Sequence, residues 1–210
     1  IAQEFAGIFH GLGVDITLMV RCARLLRGFD ADLAEHLRAE QVKKGIKIQC
    51  ATNVDRIEKT ADGLRVICKE CDSTTYDQVL FATGRKPNST GLGLNAIGVE
   101  VNGTGAIVVN EKMQTSLPNI YAIGDVTNRI NLTPVAIHEG RIFAGNHFGG
   151  ENRTMDYSNI PTTIFSQPPL GTVGLTEAEA RERYDHVVIF KSVFRPMKYS
   201  PGKIDEKTLM

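Results

Sequence analysis

The sequence has no tryptophan, no excess charge of either sign and no long hydrophobic run. Its 24 basic and 24 acidic side chains cancel at pH 7, which argues against a protein that binds nucleic acid or a membrane surface through charge. The apolar runs are only a few residues long, whereas a membrane-spanning helix needs ~20. Hydrophobic residues make up 42% of the 210 residues, too large a share for a disordered chain. We therefore expect a soluble globular protein.

Cysteine is scarce, with four residues at Cys22, Cys50, Cys68 and Cys71. They have no framework spacing, which favours a reducing compartment, and hence the cytoplasm, over a secreted disulfide scaffold. Cys68 and Cys71 form a CxxC at the end of a predicted strand, whereas reactive thiols of this pattern usually lie at a helix N-terminus. A structural zinc site would need a second pair of ligands. We expect neither a redox centre nor a metal site there.

Both ends of the sequence fall within predicted structural elements. The chain opens on Ile1 without an initiator Met, and no charged segment followed by an apolar core indicates a targeting peptide. It begins directly on a predicted helix, with no N-cap residue ahead of it. Residues 207–210 begin a new apolar run. We expect the sequence to be an internal piece of a longer chain.

Hydrophobic periodicity predicts an α/β fold. Helices at 3–13 and 30–44 alternate with strands at 14–20 and 46–50, an order that favours a parallel, Rossmann-like βαβ sheet. An antiparallel hairpin follows, whose Asp62-Gly63 turn is typical of such hairpins. The remaining predicted elements are buried strands at 78–83, 106–109 and 120–123, a helix at 134–148, and a separate α+β region that contains a short helix at 177–184.

Basic side chains follow the strand at 14–20. Arg21 comes directly after it, Arg24 and Arg27 come next, and no carboxylate occurs before Asp30. In dinucleotide-binding βαβ units this strand end meets the adenosine ribose, where an acidic residue selects NAD. Guanidinium groups instead suit a 2′-phosphate, because they donate planar, bidentate hydrogen bonds. The segment favours NADPH over NADH, with a solvated basic stretch as the alternative.

Two further segments have ligand-binding character. Gly84 follows a predicted strand and permits close backbone approach to a ligand, although an ordinary strand-to-loop turn explains it too. Asp125 directly follows a predicted strand and Gly124, where α/β sheets bind ligands, and its carboxylate can accept hydrogen bonds from polyol hydroxyls. Thr133 is expected to cap the next helix, with Pro134 at the first position. A simple capped helix is the alternative explanation.

Several motifs carry a family resemblance. Residues 121–125 with 132–136 resemble the second flavin-contacting motif of the FAD- and NAD(P)H-dependent disulfide reductases. Residues 82–88 resemble their ATGRxPN segment, and residues 165–177 resemble the opening of their dimerisation domain. The resemblance covers essentially the whole chain and is strongest to the members that reduce glutathione disulfide.

The resemblance implies specific contacts with NADPH. Ile1 and Glu4 would form the tail of the NADPH-binding glycine motif, with Glu4 near the nicotinamide and the flavin. Arg21 and Arg27 match the pair that holds the 2′-phosphate, in agreement with their position after a strand. Gly84 matches a further contact with NADPH.

The resemblance also implies contacts with FAD and with the substrate. Asp125 would bind the ribityl chain of FAD, and Thr133 would approach the pyrimidine end of the isoalloxazine. Arg141 matches the arginine that binds a carboxylate of glutathione disulfide, a position where trypanothione reductases differ. The alternative for Arg141 is an exposed helix residue without a ligand.

The implied domains are an NADPH-binding domain at 1–87, the second part of an FAD-binding domain at 88–155, and the start of a homodimerisation domain at 156–210. Members of the family pass hydride from NADPH to FAD and then reduce a cysteine pair, and a His–Glu pair of the partner subunit supplies a proton.

The sequence contains neither the CxxxxC motif nor that His–Glu pair. No catalytic residue of this kind is therefore expected within it, and we do not expect this piece to turn over by itself. The alternatives are a dihydrolipoamide dehydrogenase, expected to have an acidic residue in place of Arg21, a mercuric or trypanothione reductase, or a non-catalytic nucleotide-binding protein.

Overall fold

The computed structural model describes residues 1–69, 71–202 and 204–210. The chain forms two compact units. The first contains residues 1–82 and 163–210, and the second contains residues 83–162. Within the described residues, no helix is both long and apolar enough to cross a membrane.

The first unit opens with the predicted alternation of helices and strands. Helix α1 (Ala2–Gly11) precedes strand β1 (Thr17–Met19), and helix α2 (Ala31–Lys43) precedes strand β2 (Lys47–Gln49). The two strands pair in parallel, which confirms the predicted arrangement, although each strand is shorter than predicted. Helix α2 begins where the carboxylate of Asp30 accepts a hydrogen bond from the Asp32 N–H at 2.9 Å, the usual cap for exposed first-turn donors.

Helix α1 buries a face that carries one polar and two small residues. Gln3, Ala6 and Gly7 are buried, and a Cβ on Gly7 would approach the side chain of Gln167 to 3.2 Å. This close approach explains why a residue without a side chain occupies the position. The larger apolar side chains of α1, and that of Leu12 directly after it, are exposed: Phe5, Ile8, Phe9 and Leu12.

A three-stranded antiparallel sheet follows α2 and β2. It contains β3 (Val54–Thr60), β4 (Gly63–Cys68) and β5 (Thr74–Tyr76) in the order β3-β4-β5, and the predicted hairpin is confirmed. Gly63 has a φ of +133°, and a Cβ there would lie 2.6 Å from the carbonyl oxygen of Tyr76. The turn therefore needs glycine for two reasons: its φ is positive, and a side chain would collide with the backbone of β5.

The C-terminal part of the first unit packs against α2. Leu37 of α2 forms a core cluster with Ile164 and Leu170. The elements are β6 (Thr162–Ile164), β7 (Leu170–Thr172), α5 (Glu177–Arg183), β8 (Val193–Phe194) and β9 (Thr208–Leu209). Helix α5, which was predicted, begins with a reciprocal cap between Thr176 and Glu179.

The second unit has a small core of Val99, Ile107 and Ala122. Its elements are helix α3 (Leu94–Ile97), a 3-10 turn (Gly124–Thr127) and helix α4 (Thr133–Phe148). The helix predicted at 134–148 is confirmed as α4.

The buried strands predicted at 78–83, 106–109 and 120–123 are wrong. Leu80 and Phe81 are exposed, Phe81 by 68%, and no described backbone group forms a strand ladder with 78–83. The other two segments make only single bridges, between Val101 and Ile107 and between Gln114 and Tyr121. Apolar character was enough to bury Ile107 and Ala122, but a strand also requires a partner backbone in register.

Candidate functional sites

The basic segment lies at the carboxyl edge of the parallel pair of strands. The Ala51 N–H donates to the Cys22 carbonyl at 2.9 Å, and the Thr52 N–H donates to the Val20 carbonyl at 3.0 Å. These bonds tie the start of the segment to the end of β2. Leu25, within the segment, is buried. The segment is therefore held at its start by backbone hydrogen bonds and in its middle by the burial of Leu25.

Three arginine side chains of this segment are exposed: Arg21, Arg24 and Arg27. Guanidinium groups at such an edge can donate several hydrogen bonds to one phosphate. The carboxyl edge of a parallel sheet is also where α/β folds bind ligands. The three exposed side chains lie on one segment, and phosphate binding by them stays a prediction.

Glu4 lies on α1, where it contacts a distant part of the chain. Its Oε1 accepts a hydrogen bond from the Phe165 N–H at 3.1 Å. This bond holds the carboxylate in a partly buried position.

The second unit brings Gly84 and Asp125 into one neighbourhood. Gly84 has a φ of +117° with open space around it. The next residue, Arg85, has its Nη1 3.9 Å from Oδ2 of Asp125. Both side chains are largely exposed, so this ion pair is weak. The sequence linked Gly84 to NADPH and Asp125 to FAD. It did not predict that Arg85, next to Gly84, lies beside Asp125.

The turn that carries Asp125 packs closely on helix α4. Gly124 has a φ of +69°, and a Cβ there would lie 3.0 Å from the Cβ of Ala136. The hydroxyl of Thr127 donates to the Gly124 carbonyl at 2.8 Å. The side chain of Asp125 remains about half exposed, so its carboxylate is available to accept hydrogen bonds from a ligand.

The predicted capping role of Thr133 is wrong. Helix α4 begins at Thr133 itself, and Leu132 is the N-cap, in an extended conformation and without a side-chain cap. The Leu132 carbonyl already accepts the first helical hydrogen bond, from the Ala136 N–H at 3.1 Å. Pro134 is consequently the second helical residue. Thr133 is exposed, and the first-turn N–H groups, which no side chain caps, favour an electron-rich group nearby.

A buried carboxylate supports the Asp125 turn. Glu139 on α4 is 1% exposed, and its Oε2 accepts a hydrogen bond from the Gly124 N–H at 2.6 Å. Sequence reasoning missed this residue. Helical periodicity could have found it, because Glu139 shares the buried face of α4 with Val135 and Ile142, and an acidic residue in such a row needs partners.

Arg141 also lies on α4 and is exposed. Two residues along a helix correspond to about 200° of rotation, so Arg141 projects from nearly the opposite side of α4 to the buried Glu139. The exposed guanidinium can bind a carboxylate in a bidentate manner.

The state of two cysteines differs from the one predicted. Cys68 and Cys71 are joined by a disulfide, with 5.2 Å between their Cα atoms, whereas the sequence suggested thiols in a reducing compartment. Glu70, inside the CxxC, lies outside the described residues. Cys22 and Cys50 are free thiols. Among the residues that the structure describes, no group of three or more His, Cys, Asp or Glu side chains has the arrangement of a metal site.

Comparison with known proteins gives two family matches. Residues 1–140 match "Pyridine nucleotide-disulphide oxidoreductase", and residues 160–210 match "Pyridine nucleotide-disulphide oxidoreductase, dimerisation domain". Among individual proteins, the glutathione reductase of Burkholderia cepacia is 48% identical over 210 residues, which is 100% of this chain and 47% of that protein. The trypanothione reductase of Trypanosoma congolense is 42% identical over 204 residues, covering 95% of this chain and 42% of that protein.

A solved structure agrees with these matches. The HOCl-induced flavoprotein disulfide reductase RclA from Escherichia coli has a TM-score of 0.80 and 30% sequence identity, over 90% of this chain and 43% of that chain. The present chain spans less than half the length of these relatives.

Proposed function

This chain belongs to the pyridine nucleotide-disulphide oxidoreductase family, and from that premise we propose that the full-length protein is an NADPH-dependent flavoprotein that reduces glutathione disulfide to glutathione. FAD and NADPH are the cofactors of the family. The observation that carries the proposal is that exposed guanidinium groups, and no carboxylate, follow strand β1. This composition favours the 2′-phosphate of NADPH and disfavours a dihydrolipoamide dehydrogenase.

The NADPH contacts would come from three parts of the chain. Arg21 and Arg27 would donate hydrogen bonds to the 2′-phosphate, because both are exposed at the carboxyl edge of the β1–β2 pair. Ile1 and Glu4 would line the nicotinamide end, and the carboxylate of Glu4 is already held by the Phe165 N–H. Gly84 would let the backbone approach the cofactor closely, since the space around it is open.

The residues around Asp125 fit a flavin with a polyol chain. The exposed carboxylate of Asp125 would accept hydrogen bonds from ribityl hydroxyls. Gly124 keeps the turn close to α4, and the uncapped N–H groups near Thr133 would face the electron-rich pyrimidine end of the ring. When bound, FAD supplies the capacity to accept hydride from NADPH and to pass electrons to a disulfide. The redox-active cysteine pair would lie outside this sequence.

Arg141 is the proposed substrate contact. Its exposed guanidinium on α4 would bind a carboxylate of glutathione disulfide. A second candidate substrate is trypanothione disulfide, favoured by the 42% identity to a trypanothione reductase. Trypanothione is larger and more cationic, so an arginine at this position favours glutathione disulfide.

We propose a homodimer as the working form, supported by the match of residues 160–210 to a dimerisation domain. We also propose a cytoplasmic location, since Cys22 and Cys50 are free thiols, as suits a reducing compartment.

The test is NADPH oxidation by the full-length protein with glutathione disulfide as the acceptor. We expect rapid turnover with NADPH, much slower turnover with NADH, and little turnover with trypanothione disulfide. Turnover only with trypanothione disulfide would establish the second candidate. Bound flavin without turnover on either disulfide would contradict both substrate assignments while leaving the cofactor assignments standing.

A further inference from the structure

The geometry points to Glu139 as a positioning residue for the flavin-binding turn. We propose that its carboxylate, held by Tyr157 and Arg129, fixes the Gly124 N–H and thereby directs Asp125 towards the flavin polyol. We call these three side chains the Glu139 relay. The inference rests on the proposed function, because it concerns the same flavin site.

Both carboxylate oxygens of Glu139 are used. Oε2 accepts from the Gly124 N–H at 2.6 Å, and Oε1 accepts from the Tyr157 hydroxyl at 2.5 Å. Glu139 is almost fully buried, and an ionised carboxylate in such a position is unfavourable unless it is well hydrogen-bonded. An aliphatic side chain would pack at this helix position without that cost. The acidic residue therefore has a purpose other than packing.

The relay continues to a cation. The Tyr157 hydroxyl accepts from Nη1 of Arg129 at 2.9 Å, while Nη2 of Arg129 donates to the carbonyls of Val109 and Asn110 at 2.8 and 2.6 Å. The guanidinium lies 5.5 Å from the centre of the Tyr157 ring. The Tyr157 hydroxyl thus bridges the guanidinium of Arg129 and the carboxylate of Glu139. The two backbone carbonyls fix the orientation of the guanidinium.

Tyr157 stays a hydrogen-bond donor at neutral pH. Burial raises its pKa, and the hydrogen bond to Glu139 adds to that effect. The hydroxyl proton therefore remains in place to donate to the carboxylate, while the oxygen accepts from Arg129.

The far end of the relay is the Asp125 turn. The Gly124 N–H is fixed by Glu139, and the Gly124 carbonyl is fixed by the Thr127 hydroxyl. Because the N–H and the carbonyl of Gly124 are both hydrogen-bonded, the backbone that leads into Asp125 is held in place. The side chain of Asp125 is about half exposed, and its Oδ2 lies 3.9 Å from Nη1 of Arg85. Loss of the bond from the Gly124 N–H to Glu139 would free the turn at the residue directly before Asp125.

The test compares the affinities of full-length variants for FAD and for NADPH. Flavin is removed from each purified protein, FAD is titrated back by fluorescence quenching, and NADPH binding is measured separately. Glu139→Ala removes both bonds. Glu139→Gln is the conservative variant, because its amide oxygen still accepts from Gly124 while its NH₂ group donates to the Tyr157 oxygen. Tyr157→Phe removes only the hydroxyl. Glu100→Gln, an exposed residue of the same unit, is the matched control for charge.

We expect FAD affinity to fall about tenfold for Tyr157→Phe, the size associated with one hydrogen bond to a charged group. Glu139→Ala should lower it further, and Glu139→Gln should restore part of the loss. NADPH affinity should be unchanged in every variant, and Glu100→Gln should match the wild type.

Two results would overturn the inference. Variants that melt at lower temperature but bind FAD as tightly as the wild type would show that the relay only stabilises the fold. Equal losses of FAD and NADPH affinity would show a general disturbance. A wild-type protein that binds no flavin would refute the proposed function first and the relay with it, so the two failures are distinguishable.

Discussion

Replacing Arg21 and Arg27 together by alanine should change the choice of nucleotide more than the rate of the reaction. Both guanidiniums are exposed at the end of β1, and the segment itself is anchored by the buried Leu25. The double substitution therefore removes two hydrogen-bonding groups without disturbing the core. The loss should appear only with the nucleotide that carries a 2′-phosphate.

The magnitude follows from the exposure of the two side chains. Hydrogen bonds between charged groups contribute about 1.5–3 kcal/mol when shielded from water, and exposed ion pairs contribute up to about 1 kcal/mol. An exposed arginine–phosphate contact lies between these, at about 1–1.5 kcal/mol. Two contacts give about 2–3 kcal/mol, which corresponds to a roughly 30- to 150-fold rise in the KM for NADPH.

The assay measures the KM for NADPH and for NADH in the full-length enzyme at two salt concentrations. The KM for NADH should stay unchanged. Added salt should raise the KM for NADPH in the wild type more than in the double variant, because screening weakens exposed charge pairs. Arg24→Ala is the matched control, since it removes an exposed arginine of the same segment that the family motif does not use.

Equal rises in the KM for NADPH and NADH would refute the 2′-phosphate assignment. A rise for Arg24→Ala as large as that for the double variant would show that only the net charge of the segment matters.

Three further changes have defined outcomes. Gly124→Ala should lower the melting temperature and weaken FAD binding, because the positive φ and the close approach to Ala136 together cost about 1–3 kcal/mol; an unchanged flavin affinity would contradict this. Asp30→Ala should destabilise the protein by about 1 kcal/mol at neutral pH. The Glu177 N–H is the main cause of the lowered pKa of Asp30, so the difference should be present above the unfolded-state pKa of about 3.9 and vanish as pH falls through the folded-state value. Arg141→Ala should raise the KM for glutathione disulfide about tenfold and leave that for NADPH unchanged; equal kinetics would exclude the substrate contact.

Local patterns predicted the helices and the hairpin well. The periodicity at 30–44 and 134–148 fixes α2 and α4, because helical hydrogen bonds join residues that are close in sequence. The Asp62-Gly63 pair likewise specifies a turn by itself. The boundary of α4 was misjudged by one residue, because a threonine beside a proline is compatible with either the cap or the first helical position.

Contacts between residues distant in sequence were harder to predict. The apolar segment at 78–83 satisfies every local requirement of a strand, but its sequence does not specify which backbone pairs with it. The position of Arg85 beside Asp125 depends on a contact between residues 40 positions apart. The link from Glu139 to Arg129 through Tyr157 joins three segments, and only the inward position of Glu139 on its helix could have been deduced.

The contacts of α1 with residues 165–167 have a consequence for biosynthesis. Glu4 bonds to the backbone of Phe165, which is 161 residues later, and Gly7 packs against Gln167. At a synthesis rate of about 5–20 residues per second, roughly 8–32 s pass before these partners leave the ribosome. During that interval Glu4 and Gly7 of α1 lack the neighbours that they contact in the finished fold. The first helix of this chain is therefore among the last of its parts to reach its final environment.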